Sequence, residues 1–177
     1  MRIYSRLNPL VRFLFGLGVA IVILGATPTK TKAGDLAIIG YDVVRMLRAG
    51  GFNIYFRHAE TDWSQTDTVQ SPGDWTSCDP AAIRQLSDEG RANSVRVGQA
   101  IQGLGIPVGR ILASPYCRTM ETAQLMNLGG VTPSEDIINM RVADYFGGRD
   151  SVIASARRLL ARVPERETNT VLVAHGN

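Results

Sequence analysis

Two histidines and two cysteines in 177 residues leave little material for a metal site. No Cys-x-x-Cys pair occurs, and His58 and His175 lie far apart in the chain, so no zinc motif of recognisable spacing can be drawn. Neither a metal nor a cofactor is expected. Repeats and low-complexity tracts are also lacking, which excludes a solenoid, and 45% apolar with 20% charged residues excludes a disordered chain. Beyond Lys32 no basic run exists. The formal charge of +3 is misleading, because Arg2, Arg6, Arg12, Lys30 and Lys32 precede Gly34 and no acidic residue does. Taking those five from 19 basic residues leaves 14 against 16 acidic ones, so the body of the chain is mildly acidic. A nucleic-acid partner is thereby excluded, since it would need a basic stripe.

The first 33 residues read as a separate segment. Three arginines and the apolar run Phe13 to Ala26 match the charged and hydrophobic regions of a secretory signal, with cleavage expected after Ala33 of Thr31-Lys32-Ala33 or, alternatively, after Ala26. Residues 1–33 are therefore expected to be a signal peptide or N-terminal anchor, and 34–177 a single domain. The protein is expected outside the cytoplasm, periplasmic or extracellular, touching a membrane only through this segment if uncleaved. In such a compartment Cys78 and Cys117 can pair or stay free.

Apolar residues from Leu36 to Leu47 recur at helical spacing before Gly50-Gly51, and Asn53 to Phe56 reads as a strand. Thr61 to Pro80 reads as a long surface loop. Ser87 with Asp88 and Glu89 marks a helix start, and the helix runs to about Leu104 with Val95, Val97, Ala100, Ile101 and Leu104 as its expected buried face. Arg110 to Ala113 is a second strand, Cys117 to Leu128 a helix, Ser151 to Val163 another, and Thr170 to Ala174 a last strand. Alternating strands and helices predict an α/β fold, a three-layer α/β/α sandwich with a mostly parallel central sheet. Ligands of such sheets bind beyond the carboxyl ends of the strands. Those ends carry Arg57-His58, Ser114 with Arg118 following, and His175-Gly176, a cationic set suited to a phosphoryl group.

Four blocks carry a family resemblance. Arg57-His58-Ala59-Glu60-Thr61 resembles the Arg-His-Gly motif of the histidine phosphatase superfamily, with Ala59 in place of glycine. Leu86 to Arg91, Ala113 to Ala123 and Val171 to Asn177 resemble its further segments in the same order. The resemblance implies that His58 is the phosphorylated nucleophile, that Arg57 and Arg118 bind the phosphate, and that His175 is the second pocket histidine. Ser64 stands where relatives often have a phosphate-contacting Asn, as either a contact or a polar loop residue. Relatives also carry an acidic Glu where this chain has Met140, and continue beyond the second histidine with a helix and strand where this chain ends at Asn177. A thioether cannot donate a proton, so Asp144 is the favoured acid, with Glu135, Asp136 and Glu60 as alternatives. The expected function is hydrolysis of a small phosphorylated substrate, a sugar phosphate among the candidates, through phosphohistidine. A non-catalytic phosphate-binding protein and a phosphoglycerate-type mutase remain as alternatives.

Overall fold

The computed structural model describes residues 42–176. The expected leader, and the start of the helix expected from Leu36, lie outside them; residues 42–49 are helical. Strands β1 (Asn53–Arg57), β2 (Val108–Ala113), β3 (Val131–Pro133) and β4 (Asn169–Ala174) form a four-stranded sheet in the order β1-β4-β2-β3, every pairing parallel. The helices are α1 (Asp88–Gly103), α2 (Cys117–Leu125) and α3 (Arg149–Leu160).

The strand period of two divides the core. Ile111, Ala113, Val171 and Val173 pack on one face with Ala123 and Met126 at the end of α2, while Leu112, Leu172 and Ala174 pack on the other with Ile137 and Leu159 of α3. Burial on both faces explains why β4 reads as a continuous apolar run rather than an alternating one. The expected sandwich is therefore present. β3 has no counterpart among the expected strands, because three residues ending in Pro133 carry too little pattern, and a proline is tolerated there only at a sheet edge.

Helix α1 begins where expected, Ser87 Oγ accepting from the Gly90 amide at 3.1 Å. Its buried face differs from expectation. Gly90, Ser94, Gly98 and Ile101 are buried, whereas Val95, Ala100 and Leu104 are exposed and Val97 is half-buried. The reason is close backbone approach: a Cβ on Gly90 would collide with the Glu60 carbonyl oxygen, and one on Gly98 with that of Met126. Small residues every fourth position let the helix axis sit against these loops, and that geometry overrides apolar periodicity.

The connection from β1 to α1 is anchored rather than merely superficial. Trp75 is buried with Ile83, Tyr116 and Ile138, Thr61 bridges Leu86, and a disulfide joins Cys78 to Cys117 with a Cα separation of 5.3 Å. Closing a loop of this length contributes about 4 kcal/mol in the chain-entropy picture.

Candidate active site

The strand ends bring both histidines together, ring centroids 5.5 Å apart. His58 follows β1 and its amide donates to Ala174 O at 2.8 Å, tying it to the end of β4 where His175 begins. The Ala59 amide donates to Thr122 Oγ1, which fixes the turn after His58 against α2. Tyr55 Oη donates to the carbonyl of His175 at 2.8 Å.

Hydrogen-bond partners settle the tautomers. His58 Nδ1 lies 2.8 Å from the Ala59 carbonyl, which can only accept, so Nδ1 carries the proton and the lone pair is on Nε2. Around His175 the logic starts at Asn139, whose Oδ1 accepts from the Arg141 amide and whose Nδ2 therefore faces His175 Nδ1 at 3.2 Å. Nδ2 donates, so Nδ1 accepts and Nε2–H donates to Ser114 Oγ at 2.9 Å. Ser114 Oγ accepts this hydrogen bond rather than donating one to the imidazole. The Ser114-His175-Asn139 arrangement is thus wired against serine nucleophilic catalysis.

Both imidazoles are held neutral. Burial pushes His58 down to about 4; its bond to Ala59 opposes this, and the charges of Arg118, Arg57 and Arg84 add to it. Burial, Arg118, His58 and Arg57 push His175 down to about 2. Arg118 is the most buried charge of the site, 1% exposed. Its Nη1 and Nη2 grip Asp67 Oδ1 and Oδ2 at 2.7 and 2.9 Å, Nη1 also donates to the Arg84 carbonyl, and the guanidinium stacks 4.5 Å above Tyr116. Burial acts to raise the Asp67 carboxyl, but the bonds and charge of Arg118 outweigh it and keep it below the usual carboxylate range.

Among the described residues, three buried side-chain polar atoms have no partner: Arg118 Nε, Arg84 Nε and Tyr116 Oη. All three belong to this cluster. Buried polar groups are almost always satisfied, and an orphan costs about 1–3 kcal/mol, so their concentration at one place points to a polar ligand. Arg84 and Asp67 were invisible in the sequence as site residues, because each lies in the long connection and only its packing brings it to Arg118.

Other candidates fall differently. Arg57 is exposed, its guanidinium running beside Gly176. Ser64 is also exposed and turned onto Asp62, Oγ to Oδ1 2.7 Å, as a polar loop residue. Asp144 is exposed, next to the buried Val142 and Ala143 of the 3-10 turn Met140–Phe146, and does not line the cavity that contains His58. A cavity of about 250 Å³ containing His58 is lined by Arg57, Ala59, Glu60, Thr61 and Trp63. Glu60 is its one carboxylate. A larger hollow, about 870 Å³, is lined by Cys78 and Cys117 with Asp62, Asp88 and Glu121 and contains neither histidine; its acidic rim is unsuited to phosphate. No group of three or more His, Cys, Asp or Glu side chains able to hold a metal occurs among the described residues, and no helix there is long and apolar enough to cross a membrane.

No curated protein matches the chain in sequence. Several solved structures resemble it. SixA of Agrobacterium tumefaciens is 16% identical over 71% of this chain and 70% of that one, with a TM-score of 0.46. The protein histidine phosphatase SixA complexed with tungstate is 14% identical over 70% and 69%, TM-score 0.45. A phosphoserine phosphatase mutant from Entamoeba histolytica, in complex with phosphoserine, is 17% identical over 70% and 73%, TM-score 0.41. The sequence profile of the histidine phosphatase superfamily, branch 1, matches residues 54–169, well over half of the chain, and the protein belongs to that superfamily.

Proposed function

We propose that the protein is a phosphomonoester hydrolase acting through a phosphohistidine on His58, with Arg57 and Arg118 holding the phosphoryl group and the neutral His175 packed beside His58. The observation that carries this reading is the orphaned donor edge of Arg118. A guanidinium has five N–H groups. Asp67 and the Arg84 carbonyl take both protons of Nη1 and one of Nη2, which leaves Nε–H and the outer Nη2–H, two parallel donors on one edge. That fork has the spacing of two phosphate oxygens.

In the first step the Nε2 lone pair of His58 attacks phosphorus, the P–N bond forms and the P–O bond to the alcohol breaks. Glu60, the carboxyl lining the same cavity, gives the leaving oxygen its proton in place of Asp144. Water then attacks phosphohistidine, Glu60 takes its proton, and the P–N bond breaks to release inorganic phosphate. Charge spreading onto the equatorial oxygens in both steps is met by guanidinium donors already in place. Trp63, exposed on the cavity wall, offers an apolar face to a small organic group such as a sugar ring. Export is part of the reading, and the Cys78–Cys117 bond supports an oxidising compartment.

The test is a turnover screen over diverse phosphomonoesters with His58→Ala as control, together with rapid quenching to trap an acid-labile, base-stable phosphoenzyme. Binding of phosphate without turnover or phosphoenzyme would reject the hydrolase in favour of a non-catalytic binder. Return of the phosphoryl group to a second oxygen of the product would reject it in favour of a mutase.

A further inference from the structure

We infer that Asp67 is a positioning residue that orients the Arg118 guanidinium edge-on to the incoming phosphoryl group; this rests on the phosphate-binding role proposed for Arg118. Asp67 comes from the loop between β1 and α1, Arg118 from the first turn of α2, and they meet 51 residues apart as a bidentate pair with side-chain exposures of 4% and 1%.

The carboxylate occupies the end-on edge of the guanidinium, formed by Nη1 and Nη2. The remaining Nη1 proton goes to the Arg84 carbonyl at 3.2 Å, and the Arg84 amide in turn donates to Asp67 Oδ1 at 3.1 Å. Three bonds converging on one planar group fix its rotation about every side-chain torsion, with Tyr116 stacked below at 4.5 Å. What stays unpaired is the side-on edge, Nε–H with the outer Nη2–H. A free arginine presents its edges indifferently and loses rotamer entropy on binding; here that loss is taken in folding, so an oxyanion meets a prearranged fork. Asp67 does not stand in for the phosphate, because the edge it covers is not the edge left unpaired. Two further orphans, Arg84 Nε and Tyr116 Oη, belong to residues that contact the same pair, and like Arg118 Nε they are buried without a partner.

The experiment uses the full chain with its disulfide intact, p-nitrophenyl phosphate as substrate and orthovanadate as the binding probe. Asp67→Asn keeps the shape and removes the charge and one acceptor. It is expected to weaken vanadate binding and raise KM about tenfold or more, an amount typical of a lost charged hydrogen bond, with kcat reduced less. In an Arg118→Ala background the same substitution is expected to change neither quantity more than about twofold, since its effect runs through Arg118. A second measurement needs no variant: nitrogen NMR of the wild-type arginine side chains with vanadate should shift the Arg118 Nε–H while its Asp67-bonded Nη protons stay protected. Unchanged vanadate affinity and KM in Asp67→Asn, additive losses in the double variant, or displacement of Asp67 from Arg118 by vanadate overturns the assignment while the hydrolase reading stands. Wild-type protein that neither binds vanadate nor turns over any ester overturns both.

Discussion

Cys78 is bonded to Cys117, and Cys117 is the residue immediately before Arg118, so one covalent tie joins the loop that delivers Asp67 to the helix that delivers Arg118. The clamp on Arg118 thus has a covalent as well as an ionic component.

Replacing both cysteines by serine should lower unfolding stability by about 2–4 kcal/mol and weaken phosphate binding along with it. Denaturant unfolding and vanadate titration of the same samples check this. Stability lost with binding unchanged would show that the tie is structural and irrelevant to the clamp.

His58→Ala should abolish turnover and phosphoenzyme formation while leaving vanadate binding detectable, because the arginines persist. Arg57→Ala and Arg118→Ala should damage both binding and rate, since each removes charge-assisted bonds that strengthen as the equatorial oxygens gain charge. Full turnover in His58→Ala would remove the covalent mechanism.

Glu60→Gln should slow esters with poor leaving groups, such as sugar phosphates, by about 10²–10⁴-fold and spare aryl phosphates, whose oxide leaves unprotonated. Asp144→Asn should affect neither class by more than a small factor, because Asp144 is exposed and does not line the cavity that contains His58. Comparing kcat/KM for the two ester classes in both variants decides between them, and a selective loss in Asp144→Asn instead would restore that residue as the acid.

With His58 held down to about 4, the nucleophile is neutral through the whole mildly acidic range, so the acid limb of kcat/KM should fall near pH 4 rather than near 6.5. The same shift bears on stability. Folding lowers the affinity of both histidines for protons relative to the unfolded chain, so stability is intact above about pH 6.5 and declines as pH falls toward 4, His175 extending the loss toward 2. Unfolding free energies measured between pH 8 and 4 give the sign directly; a rise on acidification would contradict buried neutral imidazoles.

Gly98→Ala should destabilise the fold by about 1–3 kcal/mol although alanine is the better helix former, because its Cβ would meet the Met126 carbonyl oxygen. Thermal melts of Gly98→Ala beside Gly103→Ala, where a Cβ meets nothing, separate the two effects.

Local chemistry was readable from the chain alone. Ser87 announced the start of α1, apolar runs marked β2 and β4, and the motif blocks placed His58, Arg118 and His175 at strand ends that a parallel sheet must bring to one side, since strands of the same direction end together. Periodicity and motif spacing act over a few residues, and that is the range in which they succeeded. What lay beyond that range was decided by tertiary packing. Close backbone approach at Gly90 and Gly98 turned α1 onto its small residues instead of Val95 and Leu104. Packing left Asp144 exposed and Glu60 as the carboxylate of the His58 cavity. Asn139 and Ser114 chose the tautomer of His175 from 36 and 61 residues away, and Asp67 found Arg118 across 51. A hydrogen bond needs an approach near 3 Å and a correct angle, and a chain specifies such an approach between distant residues only after every intervening element has packed.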